Sequence, residues 1–346
     1  MARRILTAAL ALGPLVILLH YTADLSEEVE FVLASLALIP LAWLIGEATE
    51  HASHHTGAGI GGFLNATFGN APELIIALIA VNEGLTEVVR GSLTGSVVGN
   101  LLLVLGFSLA LGGTGELDRR SSFTSLALVG LATVAFLIPS IPGWEGDPDR
   151  DSLAAISLPV SIALLAVYVA VTWVSLRRHH GLHVSDDAAA MAGWSFRFSL
   201  LVLGAATLVT AFVAEILVGS LEVFADALGV SEFFVAAVIV AVVGNAAEHG
   251  GAVVIARRGN IRLAAEIALA SSAQVAVFLI PLVAIISWAI DPLSLAFRPV
   301  ELGVLTAATV LTAILLRDGR STTTKGIVLI VAYALAALSF LLVGDR

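Results

Sequence analysis

Two short polar stretches, Gly69-Asn70-Ala71-Pro72-Glu73 and Gly244-Asn245-Ala246-Ala247-Glu248, interrupt apolar segments of membrane-spanning length. The second begins 175 residues after the first. An ionised carboxylate at the centre of a bilayer costs about 2.5–3.5 kcal/mol even on a lenient insertion scale. A chain that places a carboxylate at this depth twice is predicted to use both, and ion transport is the function that this pattern favours.

The composition indicates an integral membrane protein. Hydrophobic residues make up 58% of the chain, charged residues only 13%, and the mean hydropathy is +1.00. A transmembrane helix needs about 20 mainly apolar residues. The chain contains eleven apolar segments of about this length, which predict eleven transmembrane spans. They are 5–21, 29–49, 60–82, 87–112, 122–141, 153–176, 195–220, 232–256, 262–290, 298–316 and 325–343.

The distribution of basic residues predicts an orientation. With the N-terminus in the cytoplasm, thirteen of the seventeen Lys and Arg residues fall on the cytoplasmic side, as the positive-inside rule requires. The exceptions are Arg90, Arg150, Arg298 and Arg346. The C-terminus is therefore predicted outside. Arg strongly outnumbers Lys in a compact chain, and this favours a prokaryotic plasma membrane.

Several functional classes are disfavoured by the composition. The net charge of −10 argues against a nucleic-acid partner. The absence of cysteine excludes disulfides and thiolate metal sites. The longest loop, 177–194, is too short for a soluble domain, so the function is predicted to lie in the membrane. We expect a transporter without a cofactor, not an enzyme, and the sequence predicts no particular oligomeric state.

An internal repeat is predicted from polar residues that share the 175-residue offset. The offset relates Glu47 to Glu222 and Ser96 to Ser271, in addition to the two polar stretches. Five spans per copy make the second copy inverted, as in many transporters. The predicted fold class is an all-α polytopic membrane protein of about 11 transmembrane helices, an N-terminal helix plus two inverted five-helix repeats. The predicted divisions are an N-terminal helix at 1–27, a first repeat at 28–177, a short cytoplasmic loop at 178–193 and a second repeat at 194–346.

The polar residues of these spans predict a cation site built from hard oxygens. Asn70 and Glu73 are three residues apart, as are Asn245 and Glu248, so each pair shares a helix face. Pro72 favours a kinked or broken helix with freed carbonyl groups. The glycines that precede the Asn residues keep the face open, and the following spans add a polar patch. These further positions are Gly69, Gly244, Ser96, Asn100, Ser271, Ser272 and Gln274.

Oxygen ligands and two carboxylates favour a divalent hard cation. Ca²⁺ accepts about six to eight oxygens in flexible geometry, whereas Mg²⁺ requires a tighter octahedral cage. Ca²⁺ is therefore the predicted substrate, with Mn²⁺, Mg²⁺ and Cd²⁺ left open. Burial favours the neutral form of a carboxyl group, so protons are predicted to occupy Glu73 and Glu248 when no cation does. Alternating access with competition between Ca²⁺ and H⁺ follows as the hypothesis.

The chain resembles the Ca²⁺/H⁺ antiporters of the cation/proton exchanger (CAX) family, within the Ca²⁺:cation antiporter superfamily. The resemblance covers nearly the whole chain and is carried by residues 62–75, 95–96, 100–106, 244–249 and 271–274. It implies that Glu73 and Glu248 bind the cation and protons and that Asn70 and Asn245 add ligands. It also implies that Ser96, Asn100, Ser271 and Gln274 line the path. Gly99 and Ala270 depart from the family pattern.

The remaining intramembrane charges have two interpretations. Glu47, Glu50, Glu215, Glu222 and His249 are candidates for gating or ion relay, or they are end residues that reach the interface. Two other functions stay open: a Na⁺/Ca²⁺ exchanger of the same superfamily and, more distantly, an intramembrane hydrolase. A transport response to a sodium gradient, or hydrolysis of a lipid or peptide, would distinguish them.

Overall fold

The protein is almost entirely helical. The computed structural model describes residues 2–56, 61, 64–65, 67–145, 147–179 and 193–344, without side chains at 2–3, 175–179 and 247–249. The helices are α1 Ala2–Ala9, α2 Leu12–Thr22, α3 Glu27–His54, α4 Ala71–Asn82, α5 Thr86–Gly112, α6 Arg119–Gly143, α7 Asp151–His179, α8 Phe196–Gly219, α9 Leu221–Leu228, α10 Glu232–Gly244, α11 Ala246–Arg257, α12 Ile261–Ala289 (its last turn 3-10), α13 Pro299–Leu316 and α14 Thr323–Val343.

The helix lengths establish an integral membrane protein. Within the described ranges, nine helical stretches are long and apolar enough to cross a membrane, the first of them Arg4–Thr22. Helices α9 and α10 are bent by 107° relative to each other, and they give a tenth span if the bent pair is counted as one span. These nine correspond to nine of the eleven predicted spans. The other two, 60–82 and 232–256, are not continuous described helices.

These two differences have separate reasons. In 60–82, part of the predicted span falls outside the described residues, and the described helix α4 has 12 residues. The predicted span 232–256 corresponds to two described helices, because the helix is interrupted at Asn245, between α10 and α11. The apolar composition on both sides of Asn245 hides this break from a hydropathy count.

The chain forms two compact units. The first contains residues 1–79, 166–224 and 243–247. Its core is the packing of α3 against α8, where Ile45, Ala48, Leu203 and Ala206 are buried together with Ala71. Small residues allow two helices to approach closely. Because Ala71 belongs to this core, the polar stretch that begins at Gly69 is anchored directly to the α3–α8 pair.

The second unit contains residues 80–165, 225–242 and 248–346. Helices α5 and α12 are its most buried spans. Helix α5 packs tightly on α10, because a Cβ atom at Gly91 would lie 2.8 Å from the carbonyl oxygen of Phe233. One turn later, a Cβ atom at Gly95 would lie 2.0 Å from the carbonyl oxygen of Ala237. Two glycines thus allow backbone contact between these helices.

Within the described residues, three helices contain π-helical turns, which sequence reasoning did not predict. They are Gly99–Val104 in α5, Val235–Val240 in α10 and Val275–Leu279 in α12. Such turns often mark functional sites. In α5 the turn includes Asn100, and in α12 it begins directly after Gln274, so both turns adjoin predicted pathway residues.

A short antiparallel strand pair connects the segment after α5 with the segment before α14. Strand β1, Gly115–Glu116, pairs with β2, Arg320–Ser321, through the partners Gly115 with Ser321 and Glu116 with Arg320. Lys325 Nζ, in the first turn of α14, donates to Oδ1 of Asp318, in the turn before β2, at 2.6 Å. This hydrogen bond lowers the pKa of Asp318, so its carboxylate is ionised at neutral pH.

Each compact unit contains parts of both predicted repeats, so the repeat boundaries remain a prediction. The helix bounds follow the same offset, however. Helix α11 begins and ends 175 residues after α4, and α12 begins 175 residues after α5.

Candidate cation-binding site

The first polar stretch lies at a break between helices. Residues 67–69 are helical, Asn70 is in a turn, and α4 begins at Ala71. Pro72 is the second residue of α4, where the missing N–H has no helical partner and a proline is tolerated. The carbonyl group of Asn70 accepts a hydrogen bond from Leu74 N at 3.0 Å. Only 1% of Asn70 is exposed, so the break is buried.

The second polar stretch lies at a matching break. Helix α10 ends at Gly244, Asn245 is in a turn and is buried, and α11 begins at Ala246. Ala247 stands where the first copy has Pro72, so proline is not needed for this break. The signal in the sequence is Gly followed by Asn, since glycine destabilises a helix interior and Asn favours turns and caps.

The two breaks contact each other within the first compact unit. A Cβ atom at Gly244 would lie 3.4 Å from Cγ of Glu73 and 3.6 Å from its Oε1. Glu73 is in the first turn of α4 and only 8% exposed. The absence of a side chain at Gly244 therefore gives the carboxyl group of Glu73 room against the end of α10.

This arrangement concentrates negative potential and oxygen atoms. The last carbonyl groups of a helix carry partial negative charge, and α10 ends beside Glu73. Broken helices in transporters use such carbonyls for cations. The buried Asn70 and Asn245 add amide oxygens. Among the described side chains, no three His, Cys, Asp or Glu residues form a metal cluster.

The predicted pathway residues on α5 and α12 are buried in the second unit. Asn100 Nδ2 donates to Ser271 Oγ at 3.0 Å, and Ser272 Oγ donates to the carbonyl oxygen of Ala268 at 3.0 Å. Ser96 is also buried, and Gln274 is half-buried. The structure thus brings the polar patches of α5 and α12 together through Asn100 and Ser271.

The predicted gating residues have varied environments. Glu47 is partly exposed, with its Oε1 3.8 Å from Nε2 of His51. Glu50 is exposed, as are Glu215 in α8 and Glu222 in α9. Their gating role remains a prediction. The backbone of α11 carries the two remaining candidates, but the side chains of Glu248 and His249 lie outside the described part of the structure.

Sequence reasoning missed a buried group of charges in the second unit. The positive-inside rule places Arg90 and Arg298 outside the cytoplasm, and no sequence pattern singles out Glu301. Their exposures are 1%, 5% and 0%, respectively. Their positions in the sequence could have identified them. Arg90, for example, lies inside the predicted span 87–112, and charged residues within membrane spans are rare and usually functional.

The protein has membrane-spanning helices and two buried helix breaks, with the carboxyl group of Glu73 where the breaks meet. This is the architecture of a secondary transporter. The sodium/calcium exchanger protein family matches residues 29–177 and 198–342. The chain belongs to this family.

Named relatives give a finer comparison. The Ca²⁺/H⁺ antiporter ChaA of Bacillus subtilis is 38% identical over 329 residues, covering 91% of this chain and 93% of that protein. The Ca²⁺/H⁺ antiporter of Synechocystis sp. is 36% identical over 343 residues, covering 91% of each chain. The solved structure of native YfkE is 35% identical, with a TM-score of 0.83 and coverage of 98% of this chain and 99% of that chain.

Proposed function

We propose that the protein exchanges Ca²⁺ for H⁺ by alternating access. The observation that carries the proposal is the buried carboxyl group of Glu73 against Gly244, where two helix breaks meet. The names of the similar antiporters support Ca²⁺ and H⁺ as the transported ions. Transport, not hydrolysis, is the assigned activity, and it uses no cofactor.

The mechanism follows from the electrostatics of a buried carboxylate. In the cation-loaded form, Glu73 and its sequence equivalent Glu248 are ionised and neutralise Ca²⁺, while Asn70, Asn245 and nearby carbonyls supply further oxygens. When Ca²⁺ leaves, an empty pair of buried anions would be costly. Protons from the same compartment therefore bind both carboxyl groups. The protonated site then changes access and releases its protons to the other compartment when the next Ca²⁺ binds.

We place the protein in a prokaryotic plasma membrane, with the N-terminus cytoplasmic and the C-terminus outside. The segregation of basic residues supports this orientation. Helix α13 begins at Pro299 and α14 ends at Val343, so the buried Arg298 at the start of α13 lies toward the outer face in this topology.

Purified protein in proteoliposomes tests the function. An imposed pH gradient, without Na⁺, is expected to drive uptake of labelled Ca²⁺, and collapse of the gradient is expected to stop it. Uptake that follows a Na⁺ gradient and ignores the pH gradient would contradict the proposal and favour the Na⁺/Ca²⁺ exchanger.

Gly244→Ala tests the contact between the breaks. The new methyl group would lie 3.4–3.6 Å from Glu73, which is ordinary van der Waals contact, so folding is expected to be preserved. It would occupy the space beside the carboxyl group. We expect the KM for Ca²⁺ to rise roughly 3- to 10-fold, a loss of about 0.7–1.4 kcal/mol of binding free energy.

Gly250→Ala is the matched control, because a Cβ atom at Gly250 would meet nothing within 4 Å in the described structure. Its KM is expected to equal that of the wild type. Equal KM values for Gly244→Ala and Gly250→Ala would show that the space beside Glu73 is not used by the cation.

A further inference from the structure

A network of buried charges connects several segments of the second compact unit. We define the charge network as Glu87 and Arg90 of α5, Asp149 of the segment before α7, and Arg298 and Glu301 at the start of α13. Its two guanidinium groups and Glu301 are almost fully buried. Buried ion pairs carry a large desolvation cost, and removal of one partner leaves an uncompensated charge.

Arg90 is the well-paired half of the network. Its Nη1 donates to Asp149 Oδ1 at 2.7 Å, and its Nη2 donates to Glu87 Oε1 at 2.8 Å. Nη2 also lies 3.1 Å from Thr86 Oγ1. The Asp149 side chain is 37% exposed. Arg90 therefore ties a water-accessible segment to the beginning of α5.

Arg298 is the weakly paired half. Its Nη1 donates to the carbonyl oxygen of Gly344 at 2.6 Å, and its Cζ lies 3.8 Å from the centre of the Phe233 ring. By contrast, Nε is 3.4 Å from Glu301 Oε2 and Nη2 is 3.5 Å from Glu87 Oε2. Neither nitrogen makes a hydrogen bond within the described residues. Arg298 thus joins α13 to α10 and to the end of α14 through close contacts, and to α5 through a long contact with Glu87 that a small movement would break.

Glu301 completes the connection between α13 and α5. Its Oε2 accepts a hydrogen bond from the backbone N of Arg298 at 2.6 Å, and its Oε1 is 3.5 Å from Thr94 Oγ1. Thr94 is two residues before Ser96 on α5. The network therefore acts on the helix that carries two predicted pathway residues, at the end where Gly91 packs against α10.

The network has no counterpart in the other repeat. The 175-residue offset places Ala265 and Leu269 at the equivalents of Arg90 and Thr94. It places Phe123 and Leu126 at the equivalents of Arg298 and Glu301. None of these four residues is charged, so the other half cannot form the same contacts. If both inverted copies had the same contacts, the inward-open and outward-open conformations would have similar energies.

We infer that Arg298 and Glu301, together with Arg90, are positioning residues that bias the exchange cycle toward the conformation in which this end of the second unit stays packed. The inference rests on the proposed alternating access. A one-sided set of contacts stabilises one of two states and changes the apparent ion affinity at the two faces in opposite directions. Weakening the network raises the KM for Ca²⁺ at the face opposite to it and lowers the KM at its own face.

The test uses full-length protein in proteoliposomes of known orientation, with the KM for Ca²⁺ measured separately at each face. Glu301→Gln is expected to change the ratio of the two KM values by about 10-fold, and Asp149→Asn by about 3-fold. Glu145→Gln is the control, because it removes the same charge from an exposed residue near Asp149 whose side chain does not contact the network within the described residues. Its ratio is expected to match the wild type.

Opposite shifts at the two faces support the inference. Unchanged ratios in folded variants, or KM values that move in the same direction at both faces, overturn it. If Glu301→Gln does not fold, the exposed position of Asp149 keeps the test available through Asp149→Asn. A wild-type protein without pH-gradient-driven Ca²⁺ uptake would instead reject the proposed function.

Discussion

Glutamine in place of Glu73 is expected to reduce pH-gradient-driven Ca²⁺ uptake by at least about 100-fold. The substitution keeps the shape of the side chain but removes both the negative charge and the exchangeable proton. Glu73 is buried beside the end of α10, so few water molecules can reach the site and stabilise the cation in place of the lost charge. A 100-fold loss corresponds to about 2.8 kcal/mol, which is moderate for the removal of a buried charge from a proposed cation site. The measurement is initial uptake of labelled Ca²⁺ into proteoliposomes.

Glu83→Gln is the matched control. Glu83 follows the end of α4 and is exposed, and it accepts a hydrogen bond from Asn82 Nδ2 at 3.2 Å. We expect this variant to retain wild-type uptake. The Glu73 assignment would be wrong if Glu73→Gln folded normally and transported Ca²⁺ at the rate of Glu83→Gln.

Alanine at Gly95 is expected to destabilise the folded protein strongly. The new Cβ atom would lie 2.0 Å from the carbonyl oxygen of Ala237 and 2.7 Å from its carbonyl carbon. These are backbone atoms, so the clash can be relieved only if α5 and α10 move apart. Overpacking in a core usually costs 1–3 kcal/mol, and a backbone clash of this size belongs at or above about 3 kcal/mol. Thermal unfolding in detergent should show a marked decrease in Tm.

Gly99→Ala is the control within the same helix. A Cβ atom at Gly99 would meet nothing within 4 Å among the described residues. Since alanine also has the higher helix propensity, we expect an unchanged or slightly higher Tm. A Gly95→Ala variant as stable as Gly99→Ala would contradict the close packing of α5 on α10.

The sequence predicted the features that depend on composition and spacing. Apolar length predicted the membrane class and nine of the described spans, because a bilayer sets the length of a helix. The Pro72 position predicted a break in the first polar stretch, and the structure has one at Asn70. The resemblance to antiporters predicted the family in which the chain is found.

Other features depend on tertiary contacts and were missed. The break at Asn245 has no proline, and apolar residues on both sides gave it the appearance of one span. The π-helical turn at Gly99–Val104 has no strong local signature. Arg90 and Glu301 also contact residues distant in sequence, Asp149 and Thr94 respectively, and a topology rule that counts charges in loops cannot identify such partners.

Competition between Ca²⁺ and protons is tested most directly by measuring Ca²⁺ binding and proton release on the same purified protein. In weakly buffered solution between about pH 6 and pH 8, Ca²⁺ addition is expected to release protons, and the apparent Ca²⁺ affinity is expected to fall as the pH falls. Binding that protonates or deprotonates a shared group must show this linkage. Glu73→Gln is expected to release fewer protons. Ca²⁺ binding with a pH-independent affinity and no proton release would contradict the proposed exchange.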